Sequence, residues 1–324
     1  MLTFFCIPKA FQGHFGVIQR NALASWRALG PSCEVLVFGD EEGAGAAAEA
    51  AGARHLPAIG RNEFGTPLLD DVFRQARAIA QNDTLCYVNS DIIFLADLLA
   101  AVAAVSARFA RYLIVGRRWN LDLEEPVSFQ DSRTWRLSFR AFIEGRGSLY
   151  DGFNLDYFIF PRPLFENIPS FAVGRPAWDN WMVYEARRRQ IPVIDATDAI
   201  LAVHQNHDYS HTSEGRAGGK AALWRGVEAQ RNRDLSGSHY FGIEDATHVM
   251  NRTCKITRRF DPTHCFRRLP EAAEIYPAWR WFLGPLRAAV HFFQKTDHRV
   301  RLFLLRRGID LFPHREKRTA GRMP

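Results

Sequence analysis

The sequence is poor in cysteine and has no long hydrophobic run, and both shortages exclude classes of protein. Only five of its 324 residues are cysteine, without a Cys-x-x-Cys pair or a zinc-like spacing. Disulfide scaffolds and zinc ribbons are therefore excluded. Cys6, Cys33 and Cys86 lie in or beside apolar runs, which predicts buried free thiols in a reducing compartment. With 47% hydrophobic and 24% charged residues, the composition is that of a soluble globular protein.

No segment is predicted to span a membrane. The most apolar stretch, residues 92–105, contains Asp97 and is shorter than the roughly 18 residues that a spanning helix needs. The N-terminus lacks the basic region of a signal peptide, and Pro8 ends its apolar run early. A cytoplasmic protein is therefore expected.

The net charge of +7 is concentrated at one end of the chain. Residues 281–324 hold ten Lys and Arg against three Asp and Glu, which accounts for the whole excess and leaves residues 1–280 neutral. An amphipathic pattern runs through residues 281–305. We therefore expect a basic helical C-terminal extension that either packs on the body or lies on an anionic membrane surface, and no nucleic-acid partner.

Short strand-like runs alternate with helix-like runs in the first half, the pattern of an α/β domain with a largely parallel sheet. Strands are predicted over residues 2–7, 34–38, 84–88 and 112–115. Helices are predicted over residues 16–29, 43–53, 66–80 (with Thr66 as N-cap) and 96–109. Beyond these, the sequence predicts a strand over 153–160, a helix over 176–190 and a strand pair or extended segment over 192–203. The predicted domains are 1–245 and the extension 246–324.

One glycine pattern is similar to a dinucleotide-binding fingerprint. Gly43, Gly45 and Ala48 fit Gly-x-Gly-x-x-Ala at the start of a helix. Residues 40–42, however, are all acidic and would repel a pyrophosphate that the helix N-terminus should attract. An Ala-rich surface helix is therefore predicted here, and a nicotinamide-dependent dehydrogenase is disfavoured.

The most informative segment is the end of the strand over residues 84–88, where the polar triplet Asn89-Ser90-Asp91 interrupts an apolar run. In open α/β sheets, ligands bind at the carboxyl ends of strands. A carboxylate at that edge suits a divalent cation, which prefers hard oxygen ligands and can bridge a diphosphate. The alternative is that Asp91 is a turn or helix-cap residue before the next helix.

The order of these segments resembles the glycosyltransferases of the GT-A fold over residues 1–210. The resemblance rests on the opening Phe5-Cys6-Ile7-Pro8-Lys9, the strand ending Phe38-Gly39-Asp40, and the triplet. In that family an Asp-x-Asp triplet after the fourth strand is the metal site, and here its first acid is replaced by Asn89. The resemblance implies a mixed, mostly parallel sheet flanked by helices, with Mn²⁺ or Mg²⁺ bound at Asp91. It also implies a nucleotide-sugar site that includes Pro8, Asp40 (on the base), Asn89, Ser90 and Asp91.

A histidine cluster follows the last predicted strand of that region. His204, His207 and His211 fall within eight residues. A neutral imidazole can complete a metal shell or donate to a phosphate oxygen. Several metal-dependent GT-A enzymes use a late histidine as an additional ligand, which implies His204 here, with His207 as the second candidate. The alternative is that these are ordinary polar loop residues.

Asp179 is the candidate catalytic base. It lies in the first turn of a predicted helix, between Trp178 and Trp181. An inverting glycosyltransferase needs a carboxylate that accepts the proton of the acceptor hydroxyl, near a sugar that stacks on an aromatic face. The resemblance implies that role for Asp179, and an inverting reaction is favoured over a retaining one, which would not need this base. The alternative is that Asp179 only compensates the helix dipole.

Two more segments are candidates for the same edge. Asp156 lies in a predicted strand and faces either the donor sugar or acceptor, or else solvent as part of the exposed face of that strand. Arg117 and Arg118, just past another strand, are candidates to line the edge.

The resemblance therefore implies metal-assisted transfer of a sugar from a nucleotide diphosphate donor to a hydroxyl acceptor: a glycan, a lipid-linked molecule or another alcohol. A sugar-phosphate nucleotidyltransferase is one alternative, but it needs a Gly-rich loop after the first strand, and residues 8–13 contain a single glycine. The other alternative is a non-enzymatic, basic surface-binding protein with a degenerate domain. The expected location is cytoplasmic, with the tail as a means of peripheral attachment to the inner face of the membrane.

Overall fold

The computed structural model describes residues 1–129, 133–207, 225–237 and 239–261, together with Arg268 and Ile275. The chain divides into two compact units, Met1–Phe260 and Asp261–Pro324. His211, Cys265 and most of the predicted basic extension lie outside the described residues. Within the described part, no helix is long and apolar enough to cross a membrane.

A large mixed sheet forms the centre of the first unit. Its strands are β1 (Leu2–Cys6), β2 (Cys33–Phe38), β3 (Arg54–Leu56), β4 (Thr84–Val88), β6 (Leu113–Val115), β9 (Tyr157–Pro161), β10 (Val193–Asp195), β12 (His248–Met250) and β13 (Ile256–Arg258). Among the described residues the order is β13-β12-β10-β6-β9-β4-β1-β2-β3, and only β9 and β13 run antiparallel to their neighbours. β1 is buried at every position, as expected for a strand covered on both faces.

A second, smaller sheet lies beside the first. It consists of β5 (Ile92–Phe94), β7 (Arg118–Leu121), β8 (Ser148–Leu149) and β11 (Ala202–Gln205). The order is β5-β11-β7-β8, with β11 antiparallel to β5 and parallel to β7. Because β5 starts just after the triplet that follows β4, this pairing brings Asp91 close to the end of β11.

Seven helices of the described part accompany the sheets. They are α1 (Gly13–Arg27), α2 (Ala44–Ala50), α3 (Leu69–Ile79), α4 (Asp97–Arg108), α5 (Arg133–Arg146), α6 (Trp178–Arg188) and α7 (Val227–Leu235). α1 buries an apolar face, and its Trp26 ring stacks on Phe4 with the ring centroids 5.5 Å apart. The Trp26 indole also donates a hydrogen bond to the Ile92 carbonyl at 2.9 Å, which fixes α1 against the start of β5.

The predicted fold class, a mixed and mostly parallel sheet flanked by helices, is confirmed. The buried free thiols Cys6, Cys33 and Cys86 are also confirmed. β12 and β13 lie beyond residue 245, where the sequence predicts the domain to end, and both belong to the large sheet.

Three local predictions differ from the structure. Thr66 is not the N-cap of α3, because Pro67 and Leu68 are held in β-bridges to Arg61 and Ala172 and the helix starts only at Leu69. The strand predicted over 153–160 starts later, at Tyr157. The segment over 192–203 divides into β10 and β11, which belong to different sheets.

Candidate functional site

The candidate site lies at one edge of the large sheet. β1, β2 and β4 are parallel neighbours, so the segments that follow them meet at the same edge. Those segments contain Pro8, Asp40 and the triplet Asn89-Ser90-Asp91. β9 runs in the opposite direction, so the residue before it, Asp156, lies at this edge as well. The Asn89 backbone N–H donates to the Asp156 carbonyl at 2.9 Å.

Asp91, His204 and His207 form a compact cluster. One ligand atom from each residue lies within 4.8 Å of the other two. The Nε2 atoms of His204 and His207 are 3.5 Å and 3.2 Å from Oδ2 of Asp91. The pairing of β5 with β11 explains this meeting, because Ile92 is the register partner of His204.

The cluster fits a divalent cation. Asp91 Oδ1 is buried and makes no hydrogen bond within the described part of the chain. Two atoms bound to one cation at about 2.1 Å lie roughly 3 Å apart, close to the spacing of these ligand atoms. Burial by itself would raise the pKa of Asp91, but the His204 and His207 rings hold that pKa well below its usual value. Asp91 is therefore a carboxylate anion, the form that binds metal.

A buried ion pair lies next to the cluster. The Arg118 guanidinium donates to Asp156 Oδ1, and both side chains are about nine-tenths buried. Asn89 Nδ2 donates to the same oxygen at 2.9 Å, and the Arg118 guanidinium lies 4.7 Å from the centre of the Tyr150 ring. Asp156 is therefore not on an exposed strand face, and that alternative is wrong.

Asp179 is the second residue of α6 and is buried. Its Oδ2 accepts a hydrogen bond from the Leu155 N–H at 3.3 Å. Burial raises the pKa of Asp179 to about 6, helped by the charge of Asp156 and opposed by the backbone N–H groups of Asn180 and Leu155. Asp179 and Asp156 are thus neighbouring carboxyl groups with different partners: Asp156 is paired with Arg118, whereas the described part of the chain shows no ion pair to Asp179.

The two tryptophans beside Asp179 belong to the core. The Trp178 ring packs on Tyr87 and Phe158, with centroids 5.2 Å and 5.4 Å away. The Trp181 ring packs on Phe171 at 5.5 Å. The expectation that these rings offer a stacking face for a sugar is therefore wrong.

The remaining predicted residues are placed as follows. Pro8 is buried in the segment that follows β1. Ser90 Oγ donates to Gln19 Oε1 at 2.9 Å, and the same oxygen accepts the Lys9 backbone N–H at 2.7 Å, so Gln19 joins the two loops. The Asp40 side chain is 69% exposed at the end of β2 and is bonded to Arg61.

Sequence reasoning missed several buried amide side chains that hold this edge together, namely Gln19, Asn21 and Gln205. Gln19 and Asn21 lie among the buried residues of α1, and Gln205 ends the fully buried strand β11. Polar residues inside an apolar pattern are the signal that could have found them, because a buried amide needs hydrogen-bond partners.

Comparisons with known proteins return distant matches among solved structures. No family model matches the sequence, and neither does any curated protein. Glucosyl-3-phosphoglycerate synthase from M. tuberculosis is 14% identical, with 74% of this chain and 80% of that chain aligned at a TM-score of 0.44. A structure of the same synthase with Mg²⁺ and uridine diphosphate is 13% identical, covering 69% and 78% at 0.40. S. aureus TarS, residues 1–349, is 12% identical, covering 64% and 59% at 0.37.

Proposed function

We propose that this protein transfers a sugar from a nucleoside diphosphate donor to a hydroxyl acceptor, with a divalent cation held by Asp91, His204 and His207. One observation carries the proposal: three ligand atoms converge at the edge of the sheet where the parallel strands end, and the second carboxylate oxygen of Asp91 is buried without a hydrogen bond in the described part of the chain. That edge is where open α/β sheets bind nucleotides. A cation there would stabilise the negative charge of the departing diphosphate.

The donor set favours Mn²⁺ over Mg²⁺. Mg²⁺ strongly prefers oxygen ligands, whereas imidazole nitrogen is suited to transition metals. Two of the three protein ligands proposed here are imidazoles. We therefore propose Mn²⁺ as the better cofactor and expect Mg²⁺ to bind more weakly.

The other residues at this edge would bind the remaining parts of the donor. Asp40, exposed at the end of β2, would bind the base of the nucleotide after exchanging its bond to Arg61. Pro8, Asn89 and Ser90 would border the diphosphate and ribose. The buried Arg118–Asp156 pair would present a fixed polar surface to the donor sugar.

Asp179 would be the general base of an inverting reaction. A pKa near 6 leaves it mostly ionised at neutral pH yet basic enough to accept a proton from a hydroxyl group in the transition state. Asp156 is less suited to this role, because Arg118 holds it in an ion pair. The acceptor would be a glycan, a lipid-linked molecule or another alcohol.

The charge of the chain supports a further proposal on location. Residues beyond 260 carry the whole net charge of +7. We propose that this segment attaches the protein to anionic membrane surfaces, which would bring the catalytic unit to a lipid-linked acceptor.

The metal site can be tested by titration calorimetry with Mn²⁺ and uridine diphosphate. We expect uridine diphosphate to bind only with Mn²⁺, and Asp91→Asn to weaken Mn²⁺ binding by at least roughly 100-fold, since a direct ligand should matter more than an outer partner. Asp83→Asn is the matched control, because Asp83 is exposed just before the opposite end of the same strand, β4. Nucleotide binding that is indifferent to Mn²⁺ and chelator would contradict the proposal.

A further inference from the structure

Gln205 lies between two of the proposed metal ligands in the chain and is bonded to the third. It follows His204 at the end of β11, and its side chain is completely buried. Its backbone N–H donates to the Asp91 carbonyl at 3.2 Å, and its side-chain Nε2 donates to the same carbonyl at 3.1 Å. One residue therefore holds the backbone of Asp91 with two hydrogen bonds.

The same amide is also bonded to α1. Gln205 Nε2 donates to the Ile18 carbonyl at 2.7 Å, and Gln205 Oε1 accepts from Asn21 Nδ2 at 2.9 Å. Asn21 is itself fixed, because its Oδ1 accepts the Val127 N–H at 2.8 Å. Both the nitrogen and the oxygen of the Gln205 amide are therefore hydrogen-bonded, and its orientation is fixed by Ile18, Asn21 and Asp91.

These bonds matter for the metal ligands because Asp91 and the histidines belong to different segments. Asp91 lies in the short connection between the large and the small sheet, whereas His204 is in β11 and His207 follows it. The edge pairing of the three-residue strand β5 with β11 is the direct strand contact between these two segments in the described part of the chain. A short two-strand contact alone is a weak restraint.

We propose that Gln205 is the positioning residue of the metal centre: its amide fixes Asp91 relative to His204 and His207 and so sets the affinity for the cation. The inference rests on the proposed function, since it concerns the same cation. Groups that orient metal ligands without touching the metal commonly raise metal affinity by roughly 10- to 100-fold. Gln205 differs from the usual case because it holds a ligand's backbone and not its side chain.

The test is Mn²⁺ affinity, measured by calorimetry on the full chain, for Gln205→Met and for Gln205→Asn. Met has nearly the same length and no polar atom, so all three side-chain bonds are lost. Asn keeps an amide that is too short to reach both carbonyls, and it is the milder change if the Met variant fails to fold. We expect the dissociation constant to rise roughly 10- to 100-fold for Met and in the same direction for Asn.

A control separates positioning from a general loss of stability. Asn232 is another fully buried amide, and it bonds the N–H and the carbonyl of Ala172 at 2.9 Å and 3.0 Å, away from the cluster. Asn232→Leu should lower the melting temperature and leave Mn²⁺ affinity unchanged.

Two results would overturn the inference and can be told apart. If the wild-type chain binds Mn²⁺ and the folded Gln205 variants bind it within twofold of wild type, Gln205 is only a structural residue. If wild type binds no Mn²⁺, the proposed metal site fails and the inference fails with it.

Discussion

The side chain of Asn89 has a local reason for departing from an Asp-x-Asp triplet. Its amide donates to Asp156, which is already paired with Arg118 in a buried position. An aspartate at position 89 would bring a second carboxylate against Asp156, leaving one buried charge without a partner. Asn89 is therefore complementary to the Arg118–Asp156 pair. In this arrangement the amide does not by itself indicate a degenerate site, since the proposed metal ligands are Asp91, His204 and His207.

The substitution Asp179→Asn should raise the stability of the protein and lower its activity. The folded pKa of about 6 lies above the ordinary value of 3.8 for an aspartate, so folding favours the protonated form. The stability that this group contributes is complete below about pH 4 and is lost as pH rises through about 6. We expect Asp179→Asn to raise the free energy of unfolding at pH 7.5 by up to about 3 kcal/mol, because it removes a buried charge. The measurement is urea unfolding at pH 4 and pH 7.5.

The same variant should lose activity if Asp179 is the base. Single-turnover sugar transfer should fall roughly 10²- to 10⁴-fold, while donor affinity stays near wild type, and wild-type transfer should decline below about pH 6. A variant that is more stable at pH 7.5 and equally active would remove Asp179 from catalysis and would favour a retaining mechanism.

Part of this site could be predicted from the types of its residues alone. Asp91 and the histidines were identifiable from the sequence because carboxylates and imidazoles are common metal ligands, and each follows a recognisable strand. The partners of those residues were not identifiable. Arg118 and Asp156 are 38 residues apart in sequence, and Gln205 is 114 residues from Asp91. Such pairs depend on the tertiary fold, which a local pattern does not encode.

The length and burial of a helix or strand determine whether it can be predicted from the sequence. β4 was predicted with its observed bounds because five consecutive residues are apolar or β-branched and mostly buried. The strands β3, β5 and β7, three or four residues long, were not predicted. So short a run shows little periodicity and depends on its neighbours for pairing. α5 was also missed, although Trp135, Phe139 and Phe142 follow helical spacing on one face.

Substitution by alanine should change the stability of the protein in opposite directions at two glycines, Gly116 and Gly145. A Cβ on Gly116, just after β6, would lie 2.1 Å from the hydroxyl of Tyr157, which is fully buried in β9. Gly116→Ala should therefore lower the free energy of unfolding by about 1–3 kcal/mol or more. A Cβ on Gly145, in the last turn of α5, would meet nothing within 4 Å. Gly145→Ala should raise stability by up to about 1 kcal/mol, since alanine is the better helix former.

Urea unfolding of both variants measures these changes. Equal effects at the two positions would contradict the explanation, because both substitutions add the same methyl group and differ only in its surroundings.

Across the whole molecule, the parallel strands bring distant parts of the chain to one edge. The segments after β1, β2 and β4 meet there with residues that precede β9 and end β11, so a single edge gathers residues from 8 to 207. All of them lie in the compact unit Met1–Phe260. That unit has equal numbers of acidic and basic residues, whereas residues 261–324 carry the net charge of +7. Catalysis and surface attraction are therefore predicted to reside in separate parts of the sequence.

A truncation after Phe260 tests that separation. Because both sheets and all three proposed ligands precede residue 261, we expect the shortened chain to fold and to bind Mn²⁺ as wild type does. It should no longer sediment with vesicles of anionic phospholipid. A smaller deletion of residues 314–324 removes four Lys and Arg and should weaken vesicle binding by roughly 1 kcal/mol for each basic residue near the surface.

Salt distinguishes charge attraction from apolar insertion in the same experiment. If the basic residues of the segment act through their charge, vesicle binding of the full chain should decrease steeply as ionic strength rises, because the screening length shortens to about 8 Å at physiological salt. Neutral vesicles should bind neither form. Sedimentation of the truncated chain to the same extent as the full chain would show that the surface for membranes lies within the unit Met1–Phe260. Negligible binding of the full chain at low salt would remove the membrane role altogether.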